Sequence, residues 1–400
     1  MTRRRIESVP VFVPITTAMQ VRRFEHFDDL ASWADDWDRL SDGVPFRGWT
    51  WASTWWRHYG ESAVDCRLAV LGVFDACGSL IGVAPWYVAG ERGRQRVIRF
   101  LGSGEVCSDH LSLLARPDQQ RVVVGAIARW LLHANERPDD ASDDAMPWDR
   151  IELIGVDADD PRIDLLTSHL DLSGCAVYRR LGTPCMWSEL PDDFDVFLSG
   201  LSRTRRQKMR RLKRTLLDSG RAERHIVTCR RQLDSALNLL IELHQRRQRA
   251  LGRPGCHASA AFEAFLRDVA ARQLALGQLQ LHSLWVDRKP IAAEYQVTGN
   301  GVVYAYQTGI DPTRLDLEPG HAMQLASLDW AMRQGYREYD FLRGDEPYKS
   351  FWNARRCDTV EVRIAAPRLG ARLRHAAWVT GSEVKKWMRQ GWNSSKDPRE

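Results

Sequence analysis

A repeated order of predicted elements is the feature that most limits the folds open to this chain. VFDACGSLIGVAP (73–85) matches WVDRKPIAAEY (285–295) in pattern, and WDRIELIGV (148–156) matches YREYDFLRG (336–344). Both segments of the first pair are typical of a hairpin with a polar turn, and both segments of the second pair are typical of a strand rich in apolar residues. The repeat predicts an α/β (α+β) fold of two similar halves, each with an antiparallel meander, a helix and a following strand.

The helices expected in the two halves are marked by spacing and by their end residues. Apolar residues at Val122, Ile127, Trp130 and Leu131 predict a helix over 118–134. Proline at the start and glycine at the end predict a second helix over 319–335. Strands are predicted over 97–103 and 108–115, and three more within 280–311. We expect domains at 20–190 and 226–366, a basic helical segment at 191–225 between them, and a basic tail at 367–400.

The length and composition suit a two-domain globular protein. The chain has 400 residues, of which 44% are hydrophobic, with a formal net charge of +5. Its eight cysteines form no CxxC pair, which predicts neither a zinc site nor a disulfide scaffold and favours a reducing, cytoplasmic location. No metal is expected. The N-terminal 17 residues lack a sustained apolar core, so we expect no cleaved signal peptide, and no apolar run is long enough to span a membrane.

Basic residues are concentrated between the two predicted domains. Residues 203–214 contain eight Lys or Arg, and Asp192, Ser202 and Gly220 are typical helix-end residues. Two successive helices are predicted, the second strongly basic. A nucleic-acid surface is one interpretation, but leucines at 212, 216 and 217 give the helix an apolar stripe. We therefore favour a flank for an anionic nucleotide-sugar or lipid phosphate.

The tail carries tryptophans among its cations. Trp378, Trp387 and Trp392 alternate with Lys and Arg over 372–392. This pattern is compatible with a peripheral membrane contact.

Six motifs give the chain a resemblance to a known family. FLGS…CSDHLSLL, RTRRQKMRRLKRTL, LHQRRQRALGRPG, PIAAEY, YAYQTGIDP and YDFLRGDEPYK occur in this order between about residues 20 and 365. Together they resemble the CelD/BcsL-type bacterial "cellulose biosynthesis" acetyltransferases, which are related to the FemAB peptidyltransferases. The resemblance implies two tandem GNAT-like acyl-CoA N-acyltransferase domains, each with a mixed, mainly antiparallel sheet flanked by helices. It also implies acetyl-CoA or another acyl-CoA as cosubstrate.

The resemblance places cofactor contacts at the start of the second predicted helix. GNAT proteins hold a pyrophosphate on backbone N–H groups at a helix N-terminus, a general anion site. LEPGHAM (317–323) occupies that place, so Gly320, His321 and Ala322 are the predicted contacts. Leu317 stands where the family pattern has Gln or Arg, and Arg314 is the candidate replacement cation.

Catalytic candidates lie in YDFLRGDEPYKSFW (339–352). Acyl transfer needs a stabilised oxyanion, a base for the acceptor and an acid for the leaving thiolate. The family resemblance assigns Lys349 to the developing negative charge. Asp340 is a candidate base or orienting group, Tyr348 a candidate acid, and Asp345, with Glu346 beside it, a further carboxylate. The alternative is that these carboxylates are ordinary strand-end and loop charges.

Substrate contacts are predicted at five further positions. Asp109 and His110 fall in CSDHLSLL, His244 and Arg247 share one helical face in LHQRRQRALGRPG, and Arg343 precedes the glycine of YDFLRG. A purely structural Asp–His pair and an ordinary ion pair of Arg247 are the competing interpretations.

Three functions are compatible with these patterns. The first is acyl transfer from acyl-CoA to an amino or hydroxyl group of a small-molecule or saccharide-precursor acceptor. The second is FemAB-like transfer from an aminoacyl-tRNA, the one case in which nucleic acid would bind. The third is a GNAT-like binding module without activity. The oligomeric state is not predicted.

Overall fold

A computed structural model describes residues 19–90, 95–136 and 146–394, with side chains as far as residue 381. The acidic run DDASDD (139–144), residues 1–18 and the side chains of Trp387 and Trp392 lie outside this description. Within it, no helix is both long and apolar enough to cross a membrane.

Within the described residues, the first half of the chain contributes nine strands and four α-helices. The strands are β1 (Gln20–Phe24), β2 (Cys66–Leu68), β3 (Val70–Phe74), β4 (Leu80–Ala84), β5 (Trp86–Ala89), β6 (Val97–Phe100), β7 (Leu114–Ala115), β8 (Arg150–Asp157) and β9 (Ala176–Leu181). The helices are α1 (Ala34–Leu40), α2 (Trp49–Trp55), α3 (Gln120–Glu136) and α4 (Pro161–Leu172).

The described part of the chain from residue 185 onward contributes eight strands and seven α-helices. The strands are β10 (Cys185–Glu189), β11 (Ala222–Ile226), β12 (Leu279–Val286), β13 (Lys289–Gly299), β14 (Val302–Ile310), β15 (Glu338–Arg343), β16 (Arg355–Cys357) and β17 (Thr359–Ala365). The helices are α5 (Phe194–Ser199), α6 (Arg203–Leu212), α7 (Arg230–Ala250), α8 (Ala260–Ala275), α9 (Pro319–Arg333), α10 (Pro347–Phe351) and α11 (Leu369–Ser394).

The strands form three sheets, and two of them repeat one plan. Their orders are β1-β3-β4-β7, β2-β5-β6-β8-β17-β9 and β11-β12-β13-β14-β15-β10-β16. In each large sheet one parallel pair, β6 with β8 or β14 with β15, is connected through a helix, α3 or α9. All the other pairs are antiparallel. The predicted mixed, mainly antiparallel sheets and the internal repeat are therefore confirmed.

The two large sheets exchange strands. β17, from the end of the chain, lies between β8 and β9, whereas β10, which belongs to the expected first domain at 20–190, lies between β15 and β16. The connection from β9 to β10 lies beside the connection from β16 to β17. The Gly182 amide donates to the Thr359 carbonyl (2.9 Å), and the Thr359 hydroxyl donates to the Thr183 carbonyl (2.8 Å). The expected domains at 20–190 and 226–366 therefore each contain one strand that pairs in the other sheet.

An aromatic core also joins the halves. The ring of Trp51 in α2 packs edge-on against Phe265 of α8 (5.1 Å between centroids), and Phe46 packs against Tyr304 (5.5 Å). The Tyr306 hydroxyl donates to the Val106 carbonyl (2.7 Å). The segment around residues 104–110 thus packs directly against the second sheet.

One predicted strand is much shorter than expected. Of the stretch 108–115, only Leu114–Ala115 pairs as a strand. Cys107 and His110 have φ of 53° and 58°, in the left-handed region, which interrupts extended backbone. The apolar alternation of the sequence gave no sign of these two turns.

Candidate active site

Helix α9 begins at an open surface. An atom added at the Cβ position of Gly320 would meet no heavy atom within 4 Å, and no described side chain caps this helix. Ala322, two residues further, is fully buried against the core. The first turn of α9 therefore presents uncapped backbone N–H groups toward free space, as an anion site requires.

Cations of the basic helix α6 lie beside this helix start. Lys208 pairs with Glu318, the residue before α9. The Lys208 ammonium and the Arg205 guanidinium lie 5.7 and 5.4 Å from the ring centre of Phe351, whose ring lies 4.4 Å from that of His321. Burial, together with the charge of Lys208, lowers the pKa of His321. The basic helix thus supplies positive charge beside the α9 N-terminus.

Arg314, the predicted replacement cation, lies in the turn before α9. Its Nε is 3.7 Å from Asp316 Oδ1. The structure brings Lys208, rather than Arg314, into contact with the residue that precedes the helix. The sequence signal for Lys208 was the basic run itself, which gave no indication of which element it would flank.

The sheet opens next to this helix. β14 and β15 pair only over Val302–Tyr304 and Glu338–Asp340, although both strands continue beyond these residues. On its other side β14 shifts register against β13 between Tyr295 and Gln296, which leaves Tyr306 as an extra residue. The two strands therefore diverge after Tyr304 and Asp340, and a gap opens between them.

A group of charged residues, here called the junction cluster, lies where the halves meet: Asp109, His110, Asp157, Asp340 and Arg343. His110 Nδ1 is 2.8 Å from Asp157 Oδ1, and its Nε2 is 3.0 Å from Asp340 Oδ2. The second contact lacks the alignment of a hydrogen bond and is mainly electrostatic. Burial favours the neutral imidazole, but the charge of Asp340 and the hydrogen bond with Asp157 prevail and raise the pKa of His110 well above its usual value.

The other pair of the cluster joins the buried Asp109 to the partly exposed Arg343. Arg343 donates to Asp109 through Nε (2.6 Å) and its backbone amide (3.0 Å), and through Nη2 to the Ser108 carbonyl (2.7 Å). Burial raises the pKa of Asp109, opposed by the neighbouring Arg343 charge. Four predicted site residues, Asp109, His110, Asp340 and Arg343, are thus brought together. Asp157 was missed because its motif was taken to end at Val156.

Lys349 is enclosed rather than open to a substrate. Only 2% of its side chain is exposed, and Nζ donates to the carbonyls of Leu342 (3.0 Å), Arg343 (2.7 Å) and Gly344 (3.2 Å). It also lies 3.0 Å from Glu346 Oε2. The lysine fixes the end of β15, where Leu342 has a left-handed φ of 57°. In this structure it acts on the gap by positioning that strand end.

We expect Lys349→Met to lower the free energy of unfolding by about 3 kcal/mol, since several charge-assisted hydrogen bonds are lost together. Lys289→Met, on the exposed start of β13, is the control and should change it by less than about 0.5 kcal/mol. Urea denaturation of both variants measures the difference. Equal midpoints for the two would show that the three carbonyl contacts contribute nothing.

The remaining predicted catalytic residues are at the surface. Asp345 and Glu346 are exposed, and 46% of Tyr348 is exposed at the start of α10. The same short helix carries Phe351 toward the α9 N-terminus and Lys349 toward the end of β15. α10 therefore connects the two parts of the candidate site.

His244 and Arg247 lie on α7, away from the junction cluster contacts. His244 is buried, and its Nδ1 donates to the carbonyl of Thr308 on β14 (3.1 Å). Arg247 is half-buried on the same helix. Among the described residues, no hydrogen bond or ion pair joins either of them to Lys349 or to the α9 N-terminus.

A buried carboxyl group ties the second sheet to α9. Glu294 accepts hydrogen bonds from Ser327 (2.7 Å), Gln296 (2.8 Å) and Tyr339 (3.2 Å). Burial raises its pKa despite these donors. The residue falls in the PIAAEY motif, but alternation gave no reason to expect an acid in the core.

A protein-family model matches part of the second half of the chain. Residues 203–350 match the family model described as "Acetyltransferase (GNAT) domain". The chain contains a GNAT-type acetyltransferase domain. The match begins with the basic helix α6 and ends in α10, so it includes the α9 N-terminus and the end of β15. No curated protein matches the sequence.

Two solved structures share the fold over most of the chain. A structure titled as FemX aligns at a TM-score of 0.59 with 12% identity, over 82% of this chain and 95% of that one. A conserved protein of unknown function from Bacteroides thetaiotaomicron VPI-5482 aligns at 0.51 with 12% identity, over 86% and 100%. At such identities the likeness concerns the fold. It extends beyond the GNAT domain to both halves.

Proposed function

We propose that this protein is an acyltransferase that moves an acyl group from acyl-CoA to an amino or hydroxyl group. The observation that carries the proposal is the uncapped start of α9, open above Gly320 and flanked by Lys208, within a GNAT-type domain. Backbone N–H groups and a nearby ammonium suit a pyrophosphate. Leu317 offers no charge, and Lys208 supplies it from a different element.

The gap between the diverging strands β14 and β15 is proposed to accommodate the arm of acyl-CoA that carries the thioester. A bound acyl-CoA supplies the activated acyl carbon, and the chain supplies position and charge. The exposed Tyr348 is the proposed proton donor to the leaving thiolate, and the exposed Asp345 the proposed acceptor of the substrate proton. The buried Asp340 and Lys349 are proposed to hold the strand end between them. Their polar atoms already contact His110, Leu342 and the β15 carbonyls.

We expect Gly320→Ala to separate folding from cofactor binding. Alanine favours the helix by about 0.5–1 kcal/mol, so stability should be unchanged or slightly raised. Its methyl group would occupy the space proposed for the pyrophosphate, and affinity for CoA should fall about tenfold or more, which is at least 1.4 kcal/mol. Titration calorimetry with CoA and acetyl-CoA measures this.

Gly381→Ala is the matched control, because Gly381 is also helical with nothing within 4 Å of an added Cβ. It should leave the affinity for CoA unchanged. Wild-type protein that gives no heat with millimolar acetyl-CoA would reject the proposal. Equal affinity in Gly320→Ala and wild type would remove the α9 N-terminus from it.

The acceptor is proposed by class only. The resemblance to CelD/BcsL-type proteins supports an envelope or polysaccharide precursor, and a peripheral membrane contact fits such an acceptor. Trp378, one of the three tail tryptophans, packs on Arg363 (4.0 Å) and Tyr178 (5.7 Å), so its ring faces the first sheet. Thiol release from acyl-CoA in the presence of amino-sugar precursors tests the acceptor class directly.

Transfer from an aminoacyl-tRNA is the second candidate. The exposed cations of the basic helix and its extension favour it: Arg203, Lys208, Arg210, Arg211 and Arg214. Such a surface would bind tRNA with a strong dependence on salt. Salt-sensitive tRNA binding without any response to CoA would support this function over the first. CoA binding without turnover of any thioester would leave a binding module.

A further inference from the structure

A separate group of potential metal ligands lies between α7, the turn Cys256–Ala258 and β14. His244, Cys256 and His257 each offer one ligand atom, and these three atoms lie within 4.8 Å of one another. His244 is 9% exposed and His257 is 7% exposed, and Cys256 is half-buried. The group is called the His–Cys cluster below.

A backbone hydrogen bond orients His244 toward Cys256. His244 donates from Nδ1 to the Thr308 carbonyl, which leaves the Nε2 lone pair facing Cys256 Sγ at 3.5 Å. A histidine ligand fixed through its other nitrogen by a carbonyl is the usual arrangement at metal sites. The backbone of β14 therefore already selects the tautomer that a metal would need.

The ring nitrogens of His257 provide the observation that points to a bound ligand. Within the described residues neither of its ring nitrogens has a hydrogen-bond partner, although the side chain is almost completely buried. Its ring lies perpendicular to that of His244, with centroids 5.0 Å apart. Leaving both nitrogens unpaired costs free energy, and a bound cation would satisfy one of them.

We propose that His244, Cys256 and His257 bind a single Zn²⁺ ion. One thiolate and two imidazoles form a nitrogen–sulfur set that suits this borderline-soft ion. In a tetrahedral site with ordinary Zn–N and Zn–S bonds, the N···S separation is about 3.5 Å, as between His244 and Cys256. Binding displaces the Cys256 proton to solvent. The fourth position is left for water.

The ion would clip the segment after α7 to the second sheet. Cys256 and His257 lie in the α7–α8 connection, and His244 is held to Thr308 in the diverging part of β14. Cys256 also lies 3.5 Å from Gln307 Oε1. The proposal does not rest on the acyltransferase function, and it replaces the expectation of no metal, which rested on the absence of CxxC pairs.

The competing account is a Cys256–His244 hydrogen bond with His257 packed on Phe262 (5.3 Å between centroids). Metal analysis after chelation, reloading with Zn²⁺ and gel filtration distinguishes the two. Wild type should retain one Zn²⁺ per chain. Cys256→Ser and His257→Ala should each weaken retention at least about tenfold, since each removes one of three ligands.

His282→Ala is the matched control. His282 is also buried with both ring nitrogens unpaired, but it packs on Trp330 (4.7 Å) in another part of the core. This variant should retain the metal. With Co²⁺ in place of Zn²⁺, a thiolate-to-cobalt charge-transfer band should appear in wild type and His282→Ala and be absent in Cys256→Ser.

A measurement on wild-type protein alone covers the case in which a variant misfolds. Bound Zn²⁺ should slow alkylation of Cys256 by iodoacetamide, as located by mass spectrometry, and the exposed Cys229 should react at the same rate with and without metal. Retention of less than one ion by wild type would overturn the proposal. So would full retention by both ligand variants, or protection of a cysteine other than Cys256.

Discussion

Residues 20–190 expressed alone are expected not to form a cooperatively folded domain, and residues 191–366 likewise. The first fragment lacks β17 and the second lacks β10, so each large sheet is left open in its interior. Circular dichroism and thermal melts of each fragment test this. Co-expression of the two fragments should restore a folded complex.

The missing strands contribute a large part of the free energy of unfolding of each half. Val360, Val362 and Ile364 of β17 are at most 5% exposed, and each buried side chain of this kind contributes about 1.5–3 kcal/mol. Together they approach the whole stability of a typical domain, about 5–15 kcal/mol. Loss of β17 also leaves β8 and β9 without the strand that separates them.

Reconnecting the crossing strands provides the control. Leu181 of β9 lies opposite Val360 of β17 in an antiparallel pair, so residues 20–182 can be joined to 359–366 by a short turn. This fusion should melt more cooperatively than 20–190, although it has nearly the same length. A fragment 20–190 that unfolds as cooperatively as the fusion would mean that β17 is dispensable.

His110→Asn is expected to lower the free energy of unfolding by about 3–5 kcal/mol, because it removes the charged imidazole that lies between the carboxylates of Asp157 and the buried Asp340. Asparagine tolerates the left-handed backbone of His110, so the loss should come from the charge rather than from strain. Asp157, Asp340 and the nearby Arg47, which donates to the His110 carbonyl, remain in place.

The pH dependence follows from the direction of the shift. The pKa of His110 is raised in the folded protein, so its contribution is complete below the ordinary value of 6.5 and is lost as the pH rises through the raised value. Pairing with His110 lowers the pKa of Asp157, so on the acid side the contribution fades as the pH falls below 3.8. The difference in the free energy of unfolding between wild type and His110→Asn should therefore be largest between pH 3.8 and pH 6.5.

A surface histidine provides the comparison. His225 lies 3.4 Å from Glu223, with 56% of its side chain exposed, and His225→Asn should cost less than about 1 kcal/mol. Urea denaturation at several pH values covers both variants. A constant difference for His110→Asn across neutral and alkaline pH would mean that the imidazole is not charged in the folded state.

Local sequence patterns predicted the elements of the second half well. The bounds of α9 follow Pro319 and Gly335, and strands β12, β13 and β14 follow β-rich runs separated by the turns at Asp287–Lys289 and Gly299–Gly301. These features depend on neighbours a few residues apart, where turn chemistry and apolar period act directly.

Features that depend on distant residues could not be predicted in the same way. Nothing in the local sequence of β17, TVEVRIA (359–365), shows that it pairs with β8 and β9 rather than with the preceding strand β16. The charge of His110 depends on Asp157 and Asp340, which lie 47 and 230 positions further along the chain. For the same reason, the approach of His257 to His244 was not apparent from their spacing.

The exchange of β10 and β17 also limits how the two halves can move. The halves cannot separate as rigid bodies without breaking the β8–β17 and β15–β10 ladders, which are interior to their sheets. The two connections between the sheets are joined by the hydrogen bonds of Gly182 and Thr183 with Thr359. A change in the relative placement of the two sheets therefore requires both connections to bend together.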